Sequence, residues 1–208
     1  HVVVLAAESC FDPLLLAGYG QLGVLCNEEG MRPFHPDRSG FALGEAAAAV
    51  HLADPDFAEK LDRKPKGSIR GWGESCDAHH MTRMDKQGTQ VRRAIDLALD
   101  GANMTKQDVD LLHAHLTTTQ TNDTLERNLL TDWPGEACLQ AVKPSLGHTI
   151  GAAGLLEVIA TLEVLDSGEP FPIPALRDED YPDNALVPGI DLPGEPRSGV
   201  SWNMGFGG

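Results

Sequence analysis

Two short turns hold the side chains best suited to chemistry. They are Leu112-His113-Ala114-His115-Leu116-Thr117-Thr118-Thr119 and Lys143-Pro144-Ser145-Leu146-Gly147-His148-Thr149-Ile150-Gly151-Ala152-Ala153-Gly154. Histidines on two separate strand-to-helix turns, with a lysine five residues before the second, can converge on one pocket. Neutral imidazoles donating from Nε2 would hold a thioester carbonyl oxygen and stabilise an enolate as it forms, because donors aimed at developing charge act strongly in a dry site. A lysine beside them would keep the rings neutral by repulsion and orient one of them. The threonines after His115, with backbone N–H groups, would hydrogen-bond an extended amide-bearing arm.

Three further histidines read as structural. A lone histidine at a strand end is more often a satisfied polar residue, and this is the reading for His113 and for the pair His79-His80. Cys76, His79 and His80 have ligand chemistry but no recognised zinc spacing, so no metal site is expected. Gly205-Phe206-Gly207-Gly208 is, on its own, a tight turn.

The elements that position these turns follow from periodicity and punctuation. His1 to Ala7 reads as a short buried strand, and Asp12-Pro13 opens a partly helical segment broken by Gly18, Gly20 and Gly23. Residues 33–40 are loop chemistry, and the alanine run within 41–52 could be helix on propensity alone, its second half being expected as strand only on the resemblance described below. Residues 54–67 form a polar connector whose Lys60, Arg63, Lys64 and Lys66 make either a solvated face or a basic docking patch. Ile69 to Glu74 is expected as strand. Thr89 to Gly101 carries Val91, Ala94, Ile95, Ala98 and Leu99 at helical spacing, with Gly101 as the cap. Thr105 to Asp108 resembles a capped turn that leads into a strand over 109–113. A helix from about Asp123 to Asp132 stops at Trp133-Pro134-Gly135. Another follows Gly151, with Leu155, Val158, Ile159, Leu162 and Leu165 as its core stripe. Residues 169–196 are loop-like, and a last strand spans Ser198 to Trp202. Helices alternating with short strands make this an α/β chain.

Composition narrows the classes of function. The chain has 208 residues, of which 41% are apolar, enough for a sizeable core. A net charge of -15 with only 16 Lys and Arg argues against nucleic acid as a partner. No apolar run is long enough to span a membrane and no secretory signal is evident. Cys10, Cys26, Cys76 and Cys138 form no CxxC pair, which points to a reducing cytoplasmic compartment. The chain opens inside a strand without an initiator Met and reads as cut.

Together the motifs resemble the C-terminal part of the β-ketoacyl-(acyl-carrier-protein) synthases, the ketosynthases of the thiolase fold. Asp37-Arg38-Ser39-Gly40-Phe41-Ala42-Leu43-Gly44-Glu45 is similar to the family's DxxGFxxGEG segment, and Cys76 to Thr82 to its SDAYHMT stretch. Ala114 to Thr119 with Asn122, Asp123 and Glu126 is similar to AHGTST…ND..E. Lys143 to Gly154 is similar to the KxxxGHxxGAAG box, and Met204 to Gly208 to the closing FGFGG. Five such matches in sequence order make the resemblance specific.

The resemblance implies the C-terminal part of a layered α/β/α/β/α fold. Residues 1–53 would end the N-terminal half, 54–67 would connect, and 68–208 would be the C-terminal half, truncated at its last strand. It implies an acyltransferase that carries out decarboxylative Claisen condensation of an acyl thioester with malonyl-carrier protein, in fatty acid or polyketide synthesis. His115 and His148 would bind the malonyl thioester and assist decarboxylation, with Lys143 tuning the site and Glu126 in its polar network. Thr117 and Thr119 would contact the phosphopantetheine arm; Phe206 would gate the acyl pocket and lend its N–H to the oxyanion hole. The chain itself would bind no cofactor, the phosphopantetheine of an acyl carrier protein being the substrate carrier. The implied partners are that carrier protein, the missing N-terminal ketosynthase half, and a second subunit in a homodimer or heterodimer.

Departures from the family pattern bear on this reading. The nucleophilic cysteine lies upstream of the stretch matched here, and Cys10 reads as structural, so the isolated chain is expected to be inactive in condensation. Leu116 replaces a glycine, Gln120 a proline and Trp202 an asparagine. Leu116 would crowd the pantetheine path, or else accept a strained turn costing about 1–3 kcal/mol if its φ is positive. The rival readings are a non-catalytic chain-length-factor-like partner and, third, a thiolase acting on coenzyme A thioesters, whose late cysteine has no counterpart at 205–208.

Overall fold

A computed structural model describes residues 1–61, 63–177, 180 and 194–206. Two small sheets lie on either side of one long helix. The first pairs β1 (Val2–Glu8) with β2 (Ala46–Leu52) antiparallel, from Val2↔Leu52 to Glu8↔Ala46. The second is parallel, with β3 (Leu111–His113) in the centre between β4 (Cys138–Gln140) and β5 (Gly199–Ser201). Every residue of β3 and β4 is buried, as befits parallel strands covered on both faces.

Helix α1 (Pro13–Leu22) connects β1 to β2, and the single turn α2 (Pro55–Ala58) and α3 (Thr89–Ala102) come between β2 and β3. They are followed by α4 (Gln120–Thr131), the turn α5 (Lys143–Leu146) and α6 (Ala153–Ser167). Helix α6 touches β2 of one sheet and β3 and β5 of the other. Its approach to β5 is close enough that a Cβ on Gly199 would stand 2.6 Å from Thr161 Cγ2. Strand β3 alternates as a strand must: Leu111 joins Cys138 and Val164 under α6, whereas Leu112 enters the main core with Leu116, Leu130, Leu139 and Trp133.

Several expectations need correction. Strand β1 is not buried: Val2, Val3, Val4 and Leu5 are exposed, because a two-stranded ribbon here leaves its faces uncovered. Gly18 and Gly20 lie inside α1 and do not break it. Asp12 caps its start by accepting from Leu14 N (2.8 Å), and only Gly23, at φ +65°, ends it. Helix α3 runs past Gly101 to Ala102 and is closed by Asn103 in the left-handed region, φ +54°.

Residues 69–74 join no ladder among the described residues. A Cβ on Gly71 would stand 2.0 Å from Ala98 O and one on Gly73 2.1 Å from Ala94 O, so the segment lies directly on the backbone of α3. Helix α4 begins at Gln120, ahead of Asp123, because the Gln120 side chain donates to Pro36 O and Arg38 O (2.9 Å each) and ties the helix start to the 33–40 loop. The connector 54–67 holds the turn α2, and its Lys66 pairs with Asp166 at 2.5 Å. The inner face of α6 is Ala153, Glu157, Thr161 and Val164; the expected stripe of Leu155, Val158, Ile159, Leu162 and Leu165 is only half-buried. Much of the loop expected over 169–196 lies outside the described residues, as do Gly207 and Gly208. Among the described residues no helix is long and apolar enough to cross a membrane.

Candidate active site

The turn after β3 is bent by two non-glycine residues with positive φ, Leu116 at +34° and Thr118 at +55°. Such backbone persists only where its surroundings over-determine it, and Glu126 on α4 supplies the determination. Its Oε1 accepts from His115 N (2.7 Å) and Trp202 Nε1 (2.7 Å), and its Oε2 from Leu116 N (2.8 Å) and Asn122 Nδ2 (2.6 Å). Thr118 Oγ1 adds a bond to Gly40 O. The Leu116 side chain is fully buried in the main core, so it does not crowd the site and the turn takes the strained alternative. Burial, with the charge of Asp123 nearby, pushes the Glu126 carboxyl up to about 7.

The second histidine is placed by a different device. After α5, Gly147 (φ +76°) lets the chain run against residues 42–44: His148 N donates to Ala42 O (2.7 Å) and Gly44 N to His148 O (3.1 Å). Neither contact would survive a side chain on Gly44, whose Cβ would stand 2.2 Å from Leu146 O. Phe41 meets the His148 ring edge-on, with centroids 4.9 Å apart.

The two turns bring His115 and His148 to a centroid separation of 5.5 Å with their planes at 87°. Lys143 stands behind them, 1% exposed, with Nζ 3.1 Å from His115 Nδ1. The same ammonium is paired with Glu157 of α6. The hydrogen bonds assign the His148 tautomer. Ile150 N donates to His148 Nδ1 (3.2 Å), while Lys143 Nζ and, at 3.5 Å, Met204 N point at His115 Nδ1. His148, with Nδ1 accepting, therefore carries its proton on Nε2; His115 Nδ1 also lies 3.0 Å from Asn203 Oδ1, an acceptor, and the ring carries its proton on Nε2 where Nδ1 accepts from the Lys143 ammonium. Burial first and the Lys143 charge second keep both rings neutral: His148 falls to about 3 and His115 lies well below the ordinary imidazole range.

The other candidates take distinct places. Thr117 and Thr119 lie side by side, their hydroxyls 3.3 Å apart. Phe206 is an exposed ring beyond Met204. His113 is fully buried, its Nδ1 3.0 Å from Thr161 Oγ1. Cys10 is buried with Sγ donating to Gly44 O (3.1 Å), and burial together with Glu8 and Glu45 raises its thiol pKa.

Two residues that sequence reasoning missed complete the cluster. Glu157 is a lone carboxylate in the run Leu155-Leu156-Glu157-Val158-Ile159, an oddity that marks it as needing a buried cation. Asn203, next to the unusual Trp202, reaches His115, Lys143 and Glu157 at once. Chemically, two N–H donors from perpendicular neutral rings, held in front of a buried cation, can grip one oxygen that gains negative charge.

The sequence matches the family model "Beta-ketoacyl synthase, C-terminal domain" over residues 66–176. It is 33% identical over 214 residues to a putative polyketide beta-ketoacyl synthase 1 of Streptomyces halstedii, covering 98% of this chain and 50% of that protein. It is 31% identical to 3-oxoacyl-[acyl-carrier-protein] synthase 2 of Rhizobium meliloti, covering 97% of this chain and 50% of that one. The structure superposes on that of the ishigamide ketosynthase/chain length factor with a TM-score of 0.78 at 30% identity, over 89% of this chain and 47% of the other. The chain thus spans about half the length of the relatives it matches.

Proposed function

The chain belongs to the β-ketoacyl synthase family, with the fold of the thiolase-like ketosynthases, and from that premise we propose that it forms the decarboxylating half of a condensing site. The observation that carries this reading is the convergence of His115 and His148, perpendicular rings with centroids 5.5 Å apart, both kept neutral by burial and by Lys143. Such a pair suits the thioester carbonyl of malonyl-carrier protein. As the carboxylate leaves as carbon dioxide, the electron pair passes to the thioester oxygen, and both donors strengthen toward the enolate so formed.

Further assignments follow on the same reading. Thr117 and Thr119 receive the phosphopantetheine arm of an acyl carrier protein, and Phe206 with its N–H serves the acyl pocket and oxyanion hole. Lys143 tunes the histidines and Glu126 acts as a positioning residue. The acyl-accepting cysteine belongs to the half of the relatives that this chain does not match, and Cys10, buried and raised, is structural. The complete enzyme is a cytoplasmic dimer in fatty acid or polyketide synthesis.

The test is malonyl decarboxylation by the chain assembled with a nucleophile-bearing half. His115→Ala should lower it about a hundredfold or more. An unchanged rate would favour the second reading, a non-catalytic partner, which the ketosynthase/chain length factor likeness brings into play. Condensation by this chain alone, surviving Cys10→Ala, would show the nucleophile to be misplaced.

A further inference from the structure

Asn203, two residues past the end of β5, is a neutral side chain that touches three members of the buried cluster. Its Nδ2 donates to Glu157 Oε2 at 2.5 Å, while its Oδ1 lies 3.0 Å from His115 Nδ1 and 3.3 Å from Lys143 Nζ. The amide is fixed in this sense. Turned over, its NH₂ would face the ammonium and its carbonyl oxygen would face the carboxylate.

An ammonium has three hydrogens and no lone pair. Around Lys143 stand three acceptors, Glu157 Oε1, Asn203 Oδ1 and His115 Nδ1, which is one for each hydrogen. If His115 instead carried its proton on Nδ1, that N–H would point at Asn203 Oδ1 and an ammonium hydrogen would face another hydrogen, inside a site where Lys143 is buried. Charge on the third acceptor decides between these two arrangements. A carboxylate at that point would draw the imidazole proton toward itself, whereas an amide oxygen takes a hydrogen from the ammonium and leaves the ring alone.

We infer that Asn203 is a positioning residue of the decarboxylation site: it anchors the Lys143 ammonium in front of His115 Nδ1 and, being uncharged, leaves the His115 proton on Nε2. This rests on the reading of His115 as the thioester donor, and it adds a residue to which neither the sequence motifs nor that reading gave a role.

The test is nitrogen-15 NMR of histidine-labelled chain, which separates the two neutral tautomers and the imidazolium. The wild type should show His115 as the Nε2–H form. In Asn203→Asp, which keeps the shape and adds a charge, the His115 proton should move to Nδ1 or the ring become doubly protonated near neutral pH, with the His148 signals unmoved. In the assembled enzyme the same change should lower kcat for malonyl decarboxylation at least tenfold. Asn203→Leu removes the anchor without adding charge; it should keep the Nε2–H form and lower kcat several-fold with KM unchanged. An Asn203→Asp protein whose His115 remains Nε2–H and whose rate stays within twofold of wild type would overturn the inference, as would an Asn203→Leu enzyme of unchanged kcat. A wild-type Nε2–H signal in an assembled enzyme that does not decarboxylate would overturn the functional reading instead, and leave the tautomer assignment standing.

Discussion

Trp202 and His115 share one oxygen: the indole N–H and the His115 backbone N–H both donate to Glu126 Oε1 at 2.7 Å. The strand that closes the sheet and the turn that presents the histidine are thereby tied to a single buried carboxylate. Trp202→Phe keeps most of the ring volume and removes one of those donors. It should cost about 1–3 kcal/mol, the usual penalty for a buried polar atom losing a partner, seen as a lower urea midpoint with little change in m-value.

Leu116 sets a buried side chain against a strained backbone. Its φ of +34° favours glycine, yet its side chain lies in the main core. Leu116→Ala should cost about 2–5 kcal/mol through the cavity it leaves. Leu116→Gly loses one methyl more but relieves the backbone, so it should be at least as stable as Leu116→Ala. Denaturant melts of the two variants decide this, and a glycine variant clearly below the alanine one would show that the turn is not strained.

Lys143 and Glu157 are a buried ion pair, 1% and 0% exposed at their side chains. Removing either partner strands the other, so Lys143→Met and Glu157→Leu should each cost about 3–5 kcal/mol. The double variant should cost far less than their sum. A double-mutant cycle by chemical denaturation measures the coupling, and simple additivity would mean that the two charges are solvated independently.

Acid should unfold the chain through its histidines. His113 and His148 fall from an ordinary 6.5 to about 3, chiefly by burial. Below pH 6.5 the unfolded chain therefore binds protons that the folded chain refuses, and stability drops as pH falls from 6.5 toward 3. Glu126 runs the other way. Raised from 4.5 to about 7, it holds a proton between those values when folded, so its contribution weakens as pH rises through that window and is flat above it. Comparing melts at pH 5 and pH 7, His113→Asn should lose less stability on acidification than the wild type does.

The convergence of His115, His148 and Lys143 was legible because each sits in a turn whose punctuation is local. The same holds for the start of α1, where Asp12 and Pro13 act on the residues just after them. What escaped depends on distant partners. Glu157 occupies a helix whose apolar periodicity pointed to a leucine face, and only Lys143, 14 residues earlier, explains why its inner side is Ala153, Glu157, Thr161 and Val164. Residues 69–74 have the composition of a strand, but pairing needs a neighbour at the right edge, and Gly71 and Gly73 are used instead to lie on α3. The exposure of β1 follows from what stands next to it, which its own residues do not encode.

The apposition of Gly44 and Gly147 gives His148 two addresses. Its side chain is carried by the segment after β4 and α5, yet its main chain is hydrogen-bonded to residues 42–44, which lead into β2 of the other sheet. The gap between the two imidazoles is thus a measure of how one sheet sits on the other. A shift of the β1–β2 ribbon would therefore change the separation of the two imidazoles without touching either ring.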